Sequence, residues 1–435
     1  MFDFLPFLRY KTLLLKFNDY LNSMKKKILF ITNNHPVPDY RRLWKKATSL
    51  QKDGYEVKII CPSKNKRKLG TYKLEGITIF YYWKFFSRNN FFTFTLGETL
   101  DFMKVSLLVF GLYLKREFHV IHLVNPTDTL TLVGLFYKLL GYQFVYEMNE
   151  SYPEKLKYGE TGMKKNNRLA LSILKKFEKL ALNIADLIIV PNSRQKARIV
   201  RLIQERKNII ITIEPLPDLK DFYQPLLNGN YKKGFNHLAL YAGSLKIERG
   251  VIKLLQAIDL IVNKLGRDDI LFILAGEGKD KEKLKRYTRK KNIFKNVYFP
   301  GWLNQERFLE YLTDAEMGLV PEPVRQQKSV LRDSVFEYMA AGKPIVSFDS
   351  RIGRNKIGKA GSLIADYNEL TFAKEIIRII DNKGKSQAMG EVGKMRVEKD
   401  LNWLKSEIKL LSAYEELFIR KSFFGTRDPI QKPAW

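Results

Sequence analysis

The stretch from Glu316 to Ser350, EMGLVPEPVRQQKSVLRDSVFEYMAAGKPIVSFDS, constrains the fold more than any other part of the chain. Met317 to Val320 is an apolar run that stops at Pro321, which has no amide hydrogen to give a sheet ladder. A polar loop follows, and a helix opens at Ser334, turning Val335, Phe336, Met339 and Ala340 inward before Gly342 closes it. Ile345 to Phe348 is then a continuous apolar run of the kind a parallel sheet buries on both faces. Strand, loop, helix and strand in this order predict an α/β fold. The loop and the helix N-terminus fall at the carboxyl end of a strand, where open α/β sheets bind ligands.

Glu337 has two readings at this stage. Its carboxylate accepts hydrogen bonds from a ligand's hydroxyls, or Ser334 and Glu337 form a capping box that ties it to its own helix. With 435 residues the chain is too long for one core, because single cores stop growing near ~250–300 residues. A boundary is expected near Asp218, where Pro215, Pro217 and Pro225 interrupt the periodicity. The domains are then 24–217, 218–404 and a C-terminal crossing helix and tail, 405–435.

Composition narrows the function classes. Hydrophobic residues at 45% and charged residues at 28% describe a soluble globular chain. One cysteine, Cys61, rules out an internal disulfide and fits a reducing cytoplasm. Four histidines and one cysteine offer no set at zinc spacing, no Asp-x-Asp occurs, and no cofactor or obligatory metal is expected. The net charge of +30 predicts an anionic partner: nucleic acid, lipid headgroups or a phosphorylated substrate.

The most apolar run, Val105 to Leu114, has ten residues between Lys104 and Lys115, whereas a span needs ~20. Residues 1–23 mix Asp3, Arg9, Lys11, Lys16 and Asp19 with apolar residues. They read either as an interfacial helix or as an upstream start before Met24. Between Phe80 and Phe94, nine of fifteen residues are aromatic, interrupted by Lys84 and Arg88; this reads as a membrane interface. The alternative is that these rings line the inner face of the first domain, covered by a helix after Gly97. No RNA-recognition module surrounds them, and no nucleic acid is expected.

In the first domain, ILFIT from Ile28 is a buried strand, followed by a loop with Asn33, Asn34 and His35 and a helix ending at Gly54. FVYEM ends at Met148 and leads into NESYPE, with Glu147 and Asn149 at the strand end. In the second, LALYAGS ends in Gly243-Ser244, and Lys246 to Gly250 is a loop. A helix follows with Val251, Leu254, Leu255, Ile258, Ile261, Val262 and Leu265 on one face. Its N-terminus behind Arg249-Gly250 is suited to an anion. ILFILAGEGKD is a further strand and glycine loop, with Gly276, Glu277 and Gly278.

EP, a loop and FEYMAAGKPIV, together with YAGSLKIERG and GEG in this order, resemble family 4 retaining glycosyltransferases from about Lys25 to Leu417. The resemblance implies the GT-B fold, two Rossmann-like doubly wound domains facing across a cleft. It implies transfer of a sugar from a nucleoside diphosphate to a hydroxyl of a glycan or lipid-linked acceptor, with retention, at the inner face of the membrane. Glu337 then holds the donor ribose, and Arg249 grips the diphosphate with Gly250 and Lys246. Gly276, Glu277 and Gly278 lie near the base, with Ser334 on the donor side. Asn34, His35 and Glu147 face the acceptor, and Asn149 contacts a sugar hydroxyl.

The chain departs from the family at four places. Ser244 replaces the first phosphate-loop cation, and Ser329 the first of two loop glutamates, with Glu322 upstream as a partial substitute. Glu147 and Asn149 stand where an Asp and a His are usual, and the loop at Asn34 lacks paired glycines. The alternatives are a GT-B epimerase or hydrolase of a nucleotide sugar, or a lapsed scaffold that binds anionic lipid or nucleic acid.

Overall fold

The computed structural model describes residues 26–33, 35–63, 69–84, 91–124, 130–149, 168–203, 209–223, 231–322 and 333–424. Asn34, Ser329, residues 1–23 and the tail from 425 lie outside them. The chain divides into two compact units, Met1–Ile213 with Glu407–Trp435, and Glu214–Ser406. The division falls at Glu214 rather than Asp218. The last helix, Trp403–Phe424, starts in the second unit and continues in the first.

The first unit is built on β1 (Lys27–Ile31), β2 (Glu56–Ser63), β3 (Gly70–Leu74), β4 (Ile77–Trp83), β5 (Val120–Val124), β6 (Gln143–Glu147), β7 (Leu187–Val190) and β8 (Ile209–Thr212). Their order is β3-β4-β2-β1-β5-β6-β7-β8. All neighbours are parallel except β3 and β4. Glu75 and Gly76, with φ of 47° and 80°, form the tight turn that lets those two run antiparallel. β5, β6 and β7 are buried at every position, and β1 at every position after Lys27, as in a sheet covered on both faces; the polar exceptions within them are His122, Gln143 and Glu147.

On one face, Phe91–Leu114 and Thr131–Leu139 pack Val105, Val109, Val133 and Tyr137 against Leu29, Ile121 and Phe144. Residues 407–424 of the last helix bury Leu410, Tyr414 and Leu417 within the same unit.

The aromatic stretch is corrected in part. Phe80 to Trp83 form the end of β4, Tyr82 is buried, Phe80 packs on the core and the Tyr81 hydroxyl donates to Val37 O. Tyr82 is therefore interior, while Phe80, Tyr81 and Trp83 keep intermediate exposure on a strand that pairs with β2 through Trp83. Residues 85–90, and the side chains of 91–95, lie outside the described set. The following helix begins at Phe91, before Gly97.

The second unit holds β9 (His237–Ala242), β10 (Ile270–Ala275), β11 (Val297–Gly301), β12 (Met317–Val320), β13 (Ile345–Phe348) and β14 (Gly361–Ile364). All pairs are parallel, in the order β11-β10-β9-β12-β13-β14. Read from β9, this is the Rossmann order 3-2-1-4-5-6, so the topological switch point lies between β9 and β12. Helices bury apolar faces on both sides, through Leu254, Leu255 and Ile258 on one and Phe308, Leu312 and Met339 on the other. Among the described residues no helix is long and apolar enough to cross a membrane.

Candidate functional site

At the switch point of the second unit the carboxyl ends of β9, β10 and β12 bring three loops together. The chain leaves β9 through Gly243, Ser244 and the buried Leu245, makes one tight turn over Ile247–Arg249, and enters the helix Val251–Asp259 at Gly250. The turn lies within the loop expected from Lys246 to Gly250. It is fixed from below by Asp280, buried, whose carboxylate accepts from the Ile247 amide at 3.0 Å.

Glycine is required at three positions in these loops, each time because a backbone oxygen stands where a Cβ would be. Gly250 has φ of +77°, and a Cβ there would lie 1.9 Å from Pro321 O and 3.2 Å from the Tyr367 hydroxyl. The end of β12 therefore abuts the helix N-terminus with no side chain between. Gly276 and Gly278 would place a Cβ 1.9 Å from Gly243 O and 2.3 Å from Leu245 O, and the Leu245 amide donates to Glu277 O at 3.0 Å. Both glycines thus serve backbone packing of one loop on another. Glu277 itself is exposed and paired with Lys281 Nζ at 2.6 Å.

Glu322, next to Pro321, is buried beside this junction. Burial raises the pKa of the Tyr367 hydroxyl, and the charges of Glu322 and Glu369 push it the same way. Glu369 in turn holds Lys253 at 2.6 Å on the first turn of the helix.

The helix Asp333–Ala340 docks on the end of β9 through two side chains. Ser334 Oγ donates to Ala242 O at 3.1 Å, and the Ala242 amide donates to the Tyr338 hydroxyl at 2.9 Å. Gly318 makes room for the Tyr338 ring, which a Cβ would approach to 2.1 Å. This corrects the capping box: Ser334 is the second residue of the helix, not its cap, and its hydroxyl is turned to β9. Glu337, on the same helix between these two contacts, is buried. Arg249 is half-buried, and its amide donates to Lys246 O.

In the first unit Tyr40 links the described residues expected at the acceptor: it meets His35 and Asn149, and Asn149 bonds Glu147. His35 is exposed, its ring edge-on to Tyr40 at 5.8 Å. Glu147 is buried and held in a charged network. Lys46 Nζ lies 2.9 Å from its Oε1 and His122 Nε2 3.2 Å from its Oε2, and Asn149 Nδ2 donates to Oε1 at 2.9 Å. Asn149 also donates to the Tyr40 hydroxyl at 3.0 Å. Burial would raise the pKa of Glu147, but Lys46 and His122 outweigh it and hold the carboxyl at about 2.

Burial keeps His122 below its ordinary pKa, hence neutral at pH 7. Its Nδ1 lies 2.6 Å from the Tyr414 hydroxyl. The tautomer that serves both neighbours carries its proton on Nε2, facing Glu147, with Tyr414 donating to Nδ1. Glu147 is therefore an interior charge, and Asn149 is the group at that strand end with an intermediate exposure.

Sequence reasoning missed Lys46, His122, Tyr414, Asp280 and Tyr367. For Lys46 the signal was available: it falls on the core-facing side of Arg41–Lys52, beside Leu43, Ala47 and Leu50. Among the described residues no cluster of His, Cys, Asp and Glu could hold a metal ion.

Residues 230–396 match the family model of glycosyl transferases group 1. The chain is 24% identical over 196 residues to an uncharacterized glycosyltransferase of Methanocaldococcus jannaschii, covering 43% of this chain and 50% of that protein. It is 27% identical over 133 residues to the poly(ribitol-phosphate) alpha-N-acetylglucosaminyltransferase of Staphylococcus aureus, covering 30% and 25%. It thus spans half of the first relative's length and a quarter of the second's.

Among solved structures, sucrose-phosphate synthase from Thermosynechococcus elongatus matches with TM-score 0.68 at 17% identity, over 91% of this chain and 100% of that one. The Anabaena protein HepE in complex with UDP and glucose matches with TM-score 0.63 at 13% identity, over 90% and 99%. WaaG, a glycosyltransferase involved in lipopolysaccharide biosynthesis, matches with TM-score 0.62 at 14% identity, over 92% and 100%. The fold shared with them is GT-B.

Proposed function

We propose that this chain, whose residues 230–396 form a group 1 glycosyl transferase domain in a GT-B fold, moves a sugar from a nucleoside diphosphate to a hydroxyl of a glycan or lipid-linked acceptor at a membrane surface, with retention at the anomeric carbon. One observation carries the reading. Gly250 meets Pro321 without a Cβ between them, so the N-terminus of Val251–Asp259 stands at the switch point beside Glu322.

The hard event is departure of the diphosphate. The first amides of that helix and Arg249 stabilise the charge that grows there, a role in which one lost donor costs ~3–4 kcal/mol. Lys246 and Ser244 flank the same turn, and Ser334 anchors the helix that presents Glu337 to the donor ribose. Asn149, whose amide hydrogens go to Tyr40 and Glu147, offers its Oδ1 as acceptor to a sugar hydroxyl. The sequence has no Asp-x-Asp to hold a cation, and the reaction is proposed to need no metal. That HepE was solved with UDP and glucose supports a UDP-sugar as the first donor to try.

The test is thermal stability of wild type, Arg249→Ala and Glu337→Ala against a panel of nucleotide sugars and bare nucleotides. Ligand at a hundred times its Kd adds ~2.7 kcal/mol, a shift of a few degrees. A shift with one donor, lost in both variants, is the expected result. No shift with any donor would sink the reading.

A further inference from the structure

The helix Phe91–Leu114 buries Val105, Val109 and Leu112 in the first unit's core, yet its opposite side is also apolar. Met103, Leu107, Phe110 and Leu114 recur at spacings of four, three and four, and Leu107 and Leu114 are 70% and 66% exposed. The helix Thr131–Leu139 repeats the arrangement. Val133 and Tyr137 face the same core, while Leu132, Phe136 and Leu139 face out, Leu139 at 77% exposure.

The two helices are neighbours. Tyr113 and Tyr137 meet at 5.5 Å between ring centroids, with Phe110 against Tyr113 at 6.2 Å and Phe136 against Tyr137 at 5.1 Å. Both outer stripes therefore point away from one core on one side of one sheet. A soluble surface rarely carries a contiguous apolar face of this kind without a partner.

Charge selects the partner. Residues 102–116 and 130–141 contain no Asp or Glu, while Lys104 lies on the first helix and Lys115 and Arg116 follow its end. A second copy of a chain with net charge +30 would be repelled from this face. A surface that is apolar inside and anionic at its headgroups fits both properties. We infer that these two helices lie in the plane of an anionic phospholipid surface, with Leu107, Phe110, Leu114, Phe136 and Leu139 entering the acyl boundary and Lys115 and Arg116 at the headgroups.

The inference rests on the membrane-surface part of the reading above. It places the contact on these helices instead of the aromatic run from Phe80 to Trp83, in which Tyr82 is buried and Phe80 packs on the core.

Flotation of the full chain with vesicles of phosphatidylcholine, with and without phosphatidylglycerol, tests it. Wild type should float with the anionic vesicles and far less with the neutral ones. Leu107→Asp with Phe110→Asp should weaken binding more than tenfold, and Lys115→Ala or Arg116→Ala about fivefold each, from ~1 kcal/mol per charge near the surface. Met395→Asp, at an exposed apolar position of the other unit, should leave binding unchanged. Melting curves confirm that each variant is folded.

Anionic-vesicle binding that survives the folded double variant, or no binding by wild type, overturns the proposal. Self-association of wild type that the double variant abolishes also overturns it, by assigning the face to a second copy. Flotation is read without any nucleotide sugar, so failure of the transferase reading leaves this result intact, and the converse holds.

Discussion

At the scale of single residues, the carboxylate of Glu147 shows what local sequence conceals. Its place at the end of β6 was legible from FVYEM, but its partners were not. Lys46 is 101 positions away, and Tyr414 reaches His122 across 292. Breaking such a buried pair by removing one partner costs ~3–5 kcal/mol, because the other charge is left uncompensated.

The network also makes acid stability predictable. Glu147 has a folded pKa of about 2 against an ordinary 4.5, so its contribution is complete above pH 4.5 and is lost as pH falls toward 2. The shift corresponds to about 3 kcal/mol. His122 is depressed from 6.5; the unfolded chain takes its proton first, and stability falls below pH 6.5 as well. Both groups thus lower stability on acidification. Urea midpoints at stepped pH should fall in two stages, with Glu147→Gln flattening the lower and His122→Asn the upper. Midpoints independent of pH between 7 and 3 would refute the assignment.

At the scale of elements, periodicity carried most of the information. The stripe from Val251 predicted a helix with Leu254, Leu255 and Ile258 in the core, and those residues are fully buried. The runs Met317–Val320 and Ile345–Phe348 are strands at the bounds read from the sequence. Ser334 was misread because a hydroxyl three residues before a glutamate has the same spacing in a capping box and inside a helix. Its partner, Ala242 O, lies 92 residues upstream.

Gly250 is the junction on which two elements depend. Gly250→Ala forces a Cβ onto Pro321 O and holds alanine at φ +77°, itself a cost of ~1–2 kcal/mol. The helix N-terminus or the end of β12 must then move. Titration calorimetry should show nucleotide affinity down at least tenfold, with a lowered Tm. Unchanged affinity would mean the junction does not shape the site.

At the scale of the whole molecule, the chain returns to its first unit at the end. Residues 407–424 supply Leu410, Tyr414 and Leu417 to that unit's interior, although the helix starts in the second. A chain ending at Ser406 should therefore lose hydrogen-exchange protection in β5 and β6 while β9, β10 and β12 retain theirs. Equal protection in both units would show that the first unit does not depend on its returning helix. The net charge of +30 also belongs to this scale: it signalled an anionic partner but not a location.

Apolar period and turn chemistry are local properties, and by themselves they determined β1, β6, β9, β10, β12 and β13, the helix from Val251 and the two-domain α/β plan. The motif order likewise pointed to the GT-B fold. Tertiary structure decided what depends on distance in space. It packed the Gly276 and Gly278 backbone closely on the loop from Gly243 to Leu245, buried Tyr82 and set Phe80 against the core. It also closed Glu147 into an ion pair and left Leu107 and Leu139 outside. Leucine has the same hydropathy on either side of a helix, and only the sheet it packs against determines which side meets water.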